Sequence, residues 1–171
     1  MSLDFVTLRL FHILGGVFWA GAALAMAGFI EPFVRSTGTD GAKFMQAFMQ
    51  RTQFSILMGA AALVTTICGV LLFWDISGGL APVWMISLQG LTLTVGSLAG
   101  IGACILAFAG QGRTSMRMAE LGRAVEAAGG PPTPAQAAEQ QSLQQRLTDS
   151  GKWSSVLLVI TIIGMSLARY M

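Results

Sequence analysis

One histidine stands in an apolar segment near the start of the chain. His12 is the only histidine in the sequence, and no charged residue occurs between Arg9 and Glu31 around it. An imidazole in such a segment is uncommon and marks a functional candidate. It can act as an axial haem ligand, as a metal ligand, or as a group that transfers protons or hydrogen-bonds a quinone. The structural alternative is a hydrogen-bonded histidine that only anchors its helix.

Three neighbours of His12 favour the haem hypothesis. At about 100° per residue, Arg9, Gly16 and Trp19 share one helical face with His12. Gly16 leaves room beside the imidazole ring, Trp19 offers an aromatic wall, and Arg9 is placed to meet a haem propionate. A single histidine supplies one axial ligand, so the second would be methionine, water or a residue of a partner. The candidate site therefore consists of His12, Gly16, Trp19 and Arg9, with haem as one of the groups that it could bind beside the alternatives given above.

The other reactive residue types favour structure over catalysis. Cys68 and Cys104 lie deep in apolar segments without metal-ligand spacing, which indicates small buried residues. Glu31 is followed by Pro32, and this pair is expected to mark the end of the first apolar segment. Four methionines could be soft ligands for copper(I) or haem iron: Met26, Met58, Met85 and Met165. They do not cluster in the sequence, which favours a role in packing over a role as ligands.

The elements that position these residues follow from the distribution of charge. Hydrophobic residues make up 54% of the chain and charged residues 11%, which is typical of membrane proteins. Four charge-poor segments are long enough to cross a bilayer as helices: 10–30, 52–74, 83–109 and 153–170. The sequence therefore predicts an all-α fold, a polytopic up-down bundle of four transmembrane helices in a single membrane domain, 1–171.

The segment 113–151, between the third and fourth spans, is predicted to form a helical hairpin. A Gly-Gly-Pro-Pro break divides it at 129–132. After the break, Thr133, Pro134 and Gln136 are typical of a capped helix start. Apolar residues recur at helical spacing on both arms: Met118, Leu121, Val125, Leu143 and Leu147.

Small and polar residues form a stripe along each later span, which predicts close helix packing inside the bundle. The stripes consist of Ser55, Gly59, Ala62, Thr66 and Gly69 in the second span; Gly90, Ser97, Gly100 and Cys104 in the third; and Ser154, Thr161, Gly164 and Ala168 in the fourth. Gly96 and Gly100 also form a GxxxG pair. On the first span, Phe11, Leu14 and Phe18 lie opposite His12 and are expected to face lipid.

The basic residues predict the orientation in the membrane. The first and third loops carry eight Lys and Arg residues, against two on the other side. By the positive-inside rule, these loops and the hairpin are cytoplasmic, and both termini lie on the outer side of a bacterial inner membrane. The lipid bilayer is the expected partner, together with a membrane-protein partner or a second copy. No dense basic block is present, so nucleic acid is not expected.

The segment 11–21, FHILGGVFWAG, resembles a group of bacterial four-helix membrane proteins. In that group, a first-helix histidine is followed seven residues later by tryptophan and then by glycine, as here. The group includes the membrane domain of copper resistance protein D, the haem-binding protoporphyrinogen oxidases and several families of unknown function. The final segment, KWSSVLLVITIIGMSLARY, is similar to the last helix of those families. The resemblance implies a four-helix bundle with His12 as the functional position and haem b as cofactor.

Two functional hypotheses from different classes follow. The first is a haem b-binding or redox-associated membrane protein that acts through His12. The alternative is a structural or assembly subunit of a larger membrane complex, with the small-residue stripes and the hairpin as contact surfaces. A metal or small-solute permease is third, because no carboxylate lies near the middle of a span. The third span lacks the basic residue expected of the oxidases, and the chain lacks the extra histidine or clustered methionine expected of a copper protein.

Overall fold

The computed structural model describes residues 3–171, with the side chains of all of these except residues 39, 42, 46 and 50. The first two residues of the predicted domain lie outside this range. All regular structure within the range is helical, as predicted. Along the chain the helices are α1 Leu3–Ser36, α2 Gly38–Arg51, α3 Phe54–Ile76, the short α4 Pro82–Met85, α5 Leu88–Ala128 and α6 Pro134–Tyr170.

Four helices have the length and apolar character that the sequence predicts for membrane spans. Helices α1, α3, α5 and α6 are each long and apolar enough to cross a bilayer. On α1, the side chains of Phe11, Leu14 and Phe18 are 44 to 59% exposed, whereas Trp19 is 4% exposed. The two faces predicted for the first span are therefore present. Large apolar side chains on the outer surface suit hydrocarbon, which solvates them as well as a protein interior does.

The four long helices pack as two close pairs, α1 with α3 and α5 with α6. Less extensive contacts, of α3 with α5 and of α1 with α6, join the pairs. Where all four helices meet, a central cluster is formed by Trp19, Ala20, Ala62, Ala103, Cys104 and Leu158. Most of its members are small, so the helix backbones approach closely around the single large tryptophan.

Helix α1 extends past the point where the sequence predicts its end. The prediction that Glu31 and Pro32 mark the exit is wrong, because the helix continues to Ser36. Residues Met26–Ile30 form a π-helical turn, in which the Glu31 N–H donates to the Met26 carbonyl. A proline within an α-helix lacks an N–H donor, and its ring collides with the carbonyl four residues earlier. The wider turn just before Pro32 relieves that collision.

The third span begins later than the predicted residue 83. The short α4 precedes it, and the long helix α5 starts at Leu88 after a cap by Ser87, whose Oγ accepts the Gly90 N–H at 3.0 Å. Gly90 has no alternative at this position, since a Cβ there would collide with the Trp84 carbonyl oxygen. The capped start satisfies a backbone donor that would otherwise have no partner.

The predicted helical arms between the third and fourth spans are continuous with α5 and α6. The first arm, Arg113–Ala128, ends at Gly129, which adopts a left-handed conformation with φ 66°. The second arm begins with the predicted capping box: the Thr133 N–H donates to Gln136 Oε1 at 2.9 Å, and the Gln136 N–H donates to Thr133 Oγ1. Glycine ends one helix and a reciprocal cap starts the next, which closes the turn.

Side chains also join the two arms to each other. Leu121 of the first arm and Leu143 of the second are both buried. Arg117 Nε donates to Glu139 Oε1 at 2.8 Å across the arms, and this hydrogen bond raises the pKa of Arg117 above its ordinary value. The arms therefore carry an apolar contact and an exposed charge pair, in addition to their helical connection to the bundle.

Candidate functional site

His12 lies half-buried between α1 and α3. Its Nδ1 is 2.8 Å from the main-chain carbonyl oxygen of Thr65 on α3. A carbonyl oxygen only accepts, so Nδ1 carries a proton and donates it to this hydrogen bond. In the neutral imidazole the lone pair is then on Nε2. The hydrogen bond to α3 fixes both the orientation of the ring and the tautomer that offers Nε2 as a ligand.

Gly69 of α3 makes room for the His12 ring. A Cβ atom at Gly69 would lie 2.8 Å from His12 Cε1 and 3.0 Å from His12 Nδ1. Both distances are shorter than van der Waals contact, so a larger residue at this position would displace the imidazole. Gly69 belongs to the stripe predicted to allow close helix approach, but here the space that it leaves is filled by a side chain.

Gly15 brings the two helices together at the same level. Its Cβ would lie 2.5 Å from Thr65 Oγ1 and 3.3 Å from the Ala61 carbonyl oxygen. A Cβ at Gly15 would collide with the Thr65 side chain and would be tight against the Ala61 carbonyl oxygen, so Gly15 permits the close approach that lets His12 reach the Thr65 carbonyl. The close approach therefore positions the imidazole as well as packing the helices.

The hydroxyl group of Thr65 is unusual for a threonine in these helices. Thr65 is buried, and its Oγ1 has no hydrogen-bond partner among the described residues. The next residue, Thr66, instead donates to the Ala62 carbonyl of its own helix at 2.8 Å. A buried hydroxyl without a partner costs about 1–3 kcal/mol. Such a group beside His12 adds a second polar atom to this interface.

The other three predicted site residues, Gly16, Trp19 and Arg9, each have different neighbours from those of His12. A Cβ at Gly16 would lie 3.5 Å from Thr65 Cγ2, which is ordinary contact with α3. Trp19 is buried in the central cluster. Arg9 is exposed and has no ion-pair partner in the part of the chain that the structure describes. Gly16 therefore borders the His12 interface, while Trp19 packs deeper in the bundle.

An apolar groove of about 320 Å³ opens on the outer surface of the α1–α3 pair. Its lining is formed by Phe11, Leu14, Gly15, Phe18, Leu57, Ala60, Ala61 and Val64. These are apolar residues, and Gly15 and Ala61 also belong to the close contact between the helices. His12 does not line the groove, so the groove suits a hydrocarbon chain but provides no polar group for a head group.

A second polar cluster joins the end of α1 to α6. Arg35 Nη2 donates to Glu31 Oε1 at 2.8 Å and also to the hydroxyl of Thr148. The Thr148 hydroxyl in turn donates to Glu31 Oε1 at 2.6 Å. Thr148 is buried, whereas Glu31 and Arg35 are partly exposed. The three groups form a closed set of hydrogen bonds that ties the two helix pairs together.

Sequence reasoning missed Thr65, Gly15 and Thr148. The acceptor for His12 is a main-chain carbonyl, which every residue type carries, so nothing in the sequence identifies Thr65. Gly15 could have been found from its position beside Gly16, because adjacent glycines in an apolar helix are typical of close packing. Thr148 is a polar residue in a polar arm, and only the extension of α1 beyond Pro32 brings partners to it.

No other set of metal ligands assembles in the described range. Among residues 3–171, no group of three or more His, Cys, Asp and Glu residues lies close enough to hold a metal ion. Cys68 and Cys104 are buried and free, consistent with the prediction that they are packing residues. Within the described residues, His12 is therefore the candidate for binding a metal or a haem iron.

Comparisons with known proteins do not identify a relative. No protein-family model matches the chain, and neither a curated protein nor a solved structure gives a significant match. The resemblance of the segment 11–21 to haem-binding and copper-resistance membrane proteins stays a prediction. Evidence for a function therefore comes from the residues and their geometry.

Proposed function

We propose that this chain is a haem b-binding, redox-associated membrane protein in which His12 supplies one axial ligand. The observation that supports the proposal is the 2.8 Å hydrogen bond between His12 Nδ1 and the Thr65 carbonyl oxygen. Histidines that bind metals almost always donate their second ring N–H to a carbonyl, a carboxylate or water, which fixes the tautomer and the ring orientation. His12 has this arrangement, and its Nε2 is the atom that would bind iron.

The donor chemistry of this interface fits a haem iron. Gly69 seats the ring, Thr65 orients it, and Arg9 is exposed about one turn away, where it can meet a propionate. The second ligand would be methionine, water or a residue of a partner. Haem b, when bound, supplies one-electron transfer at a potential that depends on its axial ligands. Trp19 packs in the central cluster, so its role is to hold α1 in the bundle.

The proposal includes an up-down arrangement in a bacterial inner membrane, with both termini outside. Eight Lys and Arg residues in the first and third loops, against two elsewhere, support this orientation. The contacts between α1 and α3 support the alternating direction, since His12 meets Gly69 while Gly15 meets Ala61. In this orientation His12 lies near the outer surface, and α2 and the hairpin lie on the cytoplasmic side.

Visible absorption of the purified protein, oxidised and reduced, tests the haem proposal. We expect a b-type spectrum that is lost in His12→Ala. His12→Gln is the sharper variant, because its amide can still donate a hydrogen bond towards α3 but does not replace imidazole as a haem ligand. A matched control is Gly21→Ala on the same helix, whose Cβ would meet nothing within 4 Å. A colourless wild-type protein from haem-replete cells, or an unchanged spectrum in both His12 variants, would contradict the proposal.

The second candidate is a structural or assembly subunit of a larger membrane complex, and the hairpin favours it. The small-residue stripes face one another within the chain, as Gly96 and Gly164 do, so they are used in folding. The exposed hairpin remains as a surface for a partner. Light scattering in detergent and crosslinking from the hairpin would detect such a partner.

A permease is less well supported, because the centre of the bundle is filled by apolar side chains.

A further inference from the structure

Helix α2, Gly38–Arg51, is held between two membrane-spanning helices by very short connections. Only Thr37 separates it from α1, and only Thr52 and Gln53 separate it from α3. Gly38 makes the first turn with φ 58°. Both α1 and α3 are long and apolar enough to cross a bilayer. Both ends of α2 are therefore tethered to the ends of these two helices on one side of the bundle, which keeps α2 near the level at which they leave the membrane.

The described side chains of α2 divide into an apolar and a charged face. At about 100° per residue, the aromatic and methionine side chains fall within one side of the helix: Phe44, Met45, Phe48 and Met49. Lys43 lies opposite this side, whereas Asp40 and Arg51 border it next to Phe44; all three charged residues are exposed. Phe44 is 54% exposed and Met45, Phe48 and Met49 are half-buried, so the protein covers only part of the apolar side.

Contacts of α2 within the chain cover part of this side and connect it to the outer surface of α3. The helix packs mainly on the last part of α1, where a Cβ on Gly41 would collide with the Val34 carbonyl oxygen. The ring centroids of Phe44 and Phe48 are 6.2 Å apart, and those of Phe48 and Phe54 are 5.2 Å apart. The aromatic row therefore runs from α2 to the first residue of α3.

The outer surface of α3 continues the same apolar strip. Leu57, three residues after Phe54 and on the same side of that helix, is 51% exposed. This apolar surface is continuous from α2 to α3. Because the outer surface of α3 is expected to face lipid, the apolar side of α2 is expected to contact lipid as well. An amphipathic helix with aromatic and aliphatic residues on one face and basic residues on the other is typical of a segment lying in the membrane interface.

We infer that α2 lies in the plane of the membrane interface and binds the phospholipid surface. Phe44, Met45, Phe48 and Met49 enter the boundary between acyl chains and headgroups. Lys43 and Arg51 lie at the level of the lipid phosphates, where a basic side chain is attracted by anionic lipid. The inference depends on the spanning helices and is independent of whether His12 binds haem.

Spin-label accessibility in the full-length protein tests this placement. Cys68→Ala and Cys104→Ala remove the two native thiols, which are buried and free. Nitroxide labels are then placed singly by Phe44→Cys on the apolar face and by the matched control Lys43→Cys on the charged face. Val17→Cys, at a position 70% exposed on α1, provides the acyl-chain reference, and Glu126→Cys on the hairpin provides the water reference. The vesicles contain phosphatidylethanolamine and phosphatidylglycerol.

The measured quantity is the collision rate of each label with oxygen, which concentrates in hydrocarbon, relative to a water-soluble nickel chelate. We expect the oxygen-to-nickel ratio at residue 44 to be several-fold higher than at residue 43 and to approach that at residue 17. A ratio at residue 44 equal to that at residue 126 would overturn the inference, because the face would then be in water. Protection of residue 44 from both reagents would also overturn it and would indicate a protein partner.

Discussion

The α1–α3 and α5–α6 pairs both approach closely through glycine, but the atoms that face the glycine differ. In the α5–α6 pair, a Cβ at Gly164 would lie 2.9 Å from Gly96 Cα, so backbone faces backbone. In the α1–α3 pair, a Cβ at Gly69 would lie 2.8 Å from His12 Cε1, so the glycine faces a side chain. A backbone collision is relieved only by separating the helices, whereas a side-chain collision is relieved by rotating the side chain.

Glycine therefore has two different roles in these helix pairs, although both glycines belong to similar small-residue stripes in the sequence. At Gly164 the absent side chain sets the distance between helices and therefore the stability of the bundle. At Gly69 it sets the orientation of one imidazole and therefore the chemistry available at the interface. Substitutions at the two glycines should affect different measurements, which makes the comparison testable.

The largest loss of stability is expected for Gly164→Ala. Overpacking costs about 1–3 kcal/mol, and we expect about 3 kcal/mol here because the added methyl group meets Gly96 backbone, which cannot rotate away. Unfolding in detergent, followed by circular dichroism, measures the change. Gly21→Ala is the control, because its Cβ would meet nothing within 4 Å and alanine favours helix by up to about 1 kcal/mol. Wild-type stability in Gly164→Ala would show that α5 and α6 do not depend on this contact.

A smaller loss is expected for Thr148→Val, which tests how the two pairs are joined. Valine keeps the shape of threonine but removes the hydroxyl that donates to Glu31 and accepts from Arg35. Loss of a hydrogen bond to a charged group costs about 2 kcal/mol. Thr66→Val is the matched control, since that hydroxyl bonds only to a carbonyl of its own helix. Equal effects of the two variants on the free energy of unfolding would mean that the cluster does not join the pairs.

Gly69→Ala is expected to have the smallest effect on stability. It should have the largest effect on the orientation of the His12 imidazole. Rotation of the His12 ring would break its hydrogen bond to Thr65, at a cost of about 1 kcal/mol. Nitrogen chemical shifts of His12 should report the loss of the fixed Nδ1–H tautomer. In a double-mutant cycle, Gly69→Ala should cost little once His12→Ala has removed the ring. Additive losses would instead indicate that Gly69 serves backbone packing, as Gly164 does.

The spanning helices and the capped turn between the arms could be predicted because local chemistry determines them. A charge-free segment of sufficient length has few alternatives to a helix in lipid. Thr133 and Gln136 satisfy each other's backbone donors within a few residues, so their capping box is visible in the sequence. The burial of Trp19 and the exposure of Phe11 also follow from periodicity alone.

The features that could not be predicted depend on main-chain atoms or on local changes in helix geometry. The acceptor for His12 is a carbonyl oxygen, whose residue type carries no information. Pro32 is typical of a helix end, and only the preceding π-helical turn lets α1 continue through it. For the same reason the hydrogen bond from Arg35 to Thr148, which depends on that continuation, has no sign in the sequence. Helix α2 was also absent from the predictions, because its apolar face is short and lies in a loop rich in polar residues.

The π-helical turn Met26–Ile30 gives the two halves of α1 independent rotational registers. One additional residue in a helical turn rotates everything after it by about 100° relative to an uninterrupted α-helix. Deleting one residue from this turn would restore a regular α-helix and leave Glu31 and Arg35 facing Thr148, because the turn holds the one extra residue. The same deletion in a regular α-helical part of α1 would rotate the following residues by about 100°. The turn can therefore absorb the loss of one residue during evolution while the histidine interface and the cluster at Thr148 both keep their alignment.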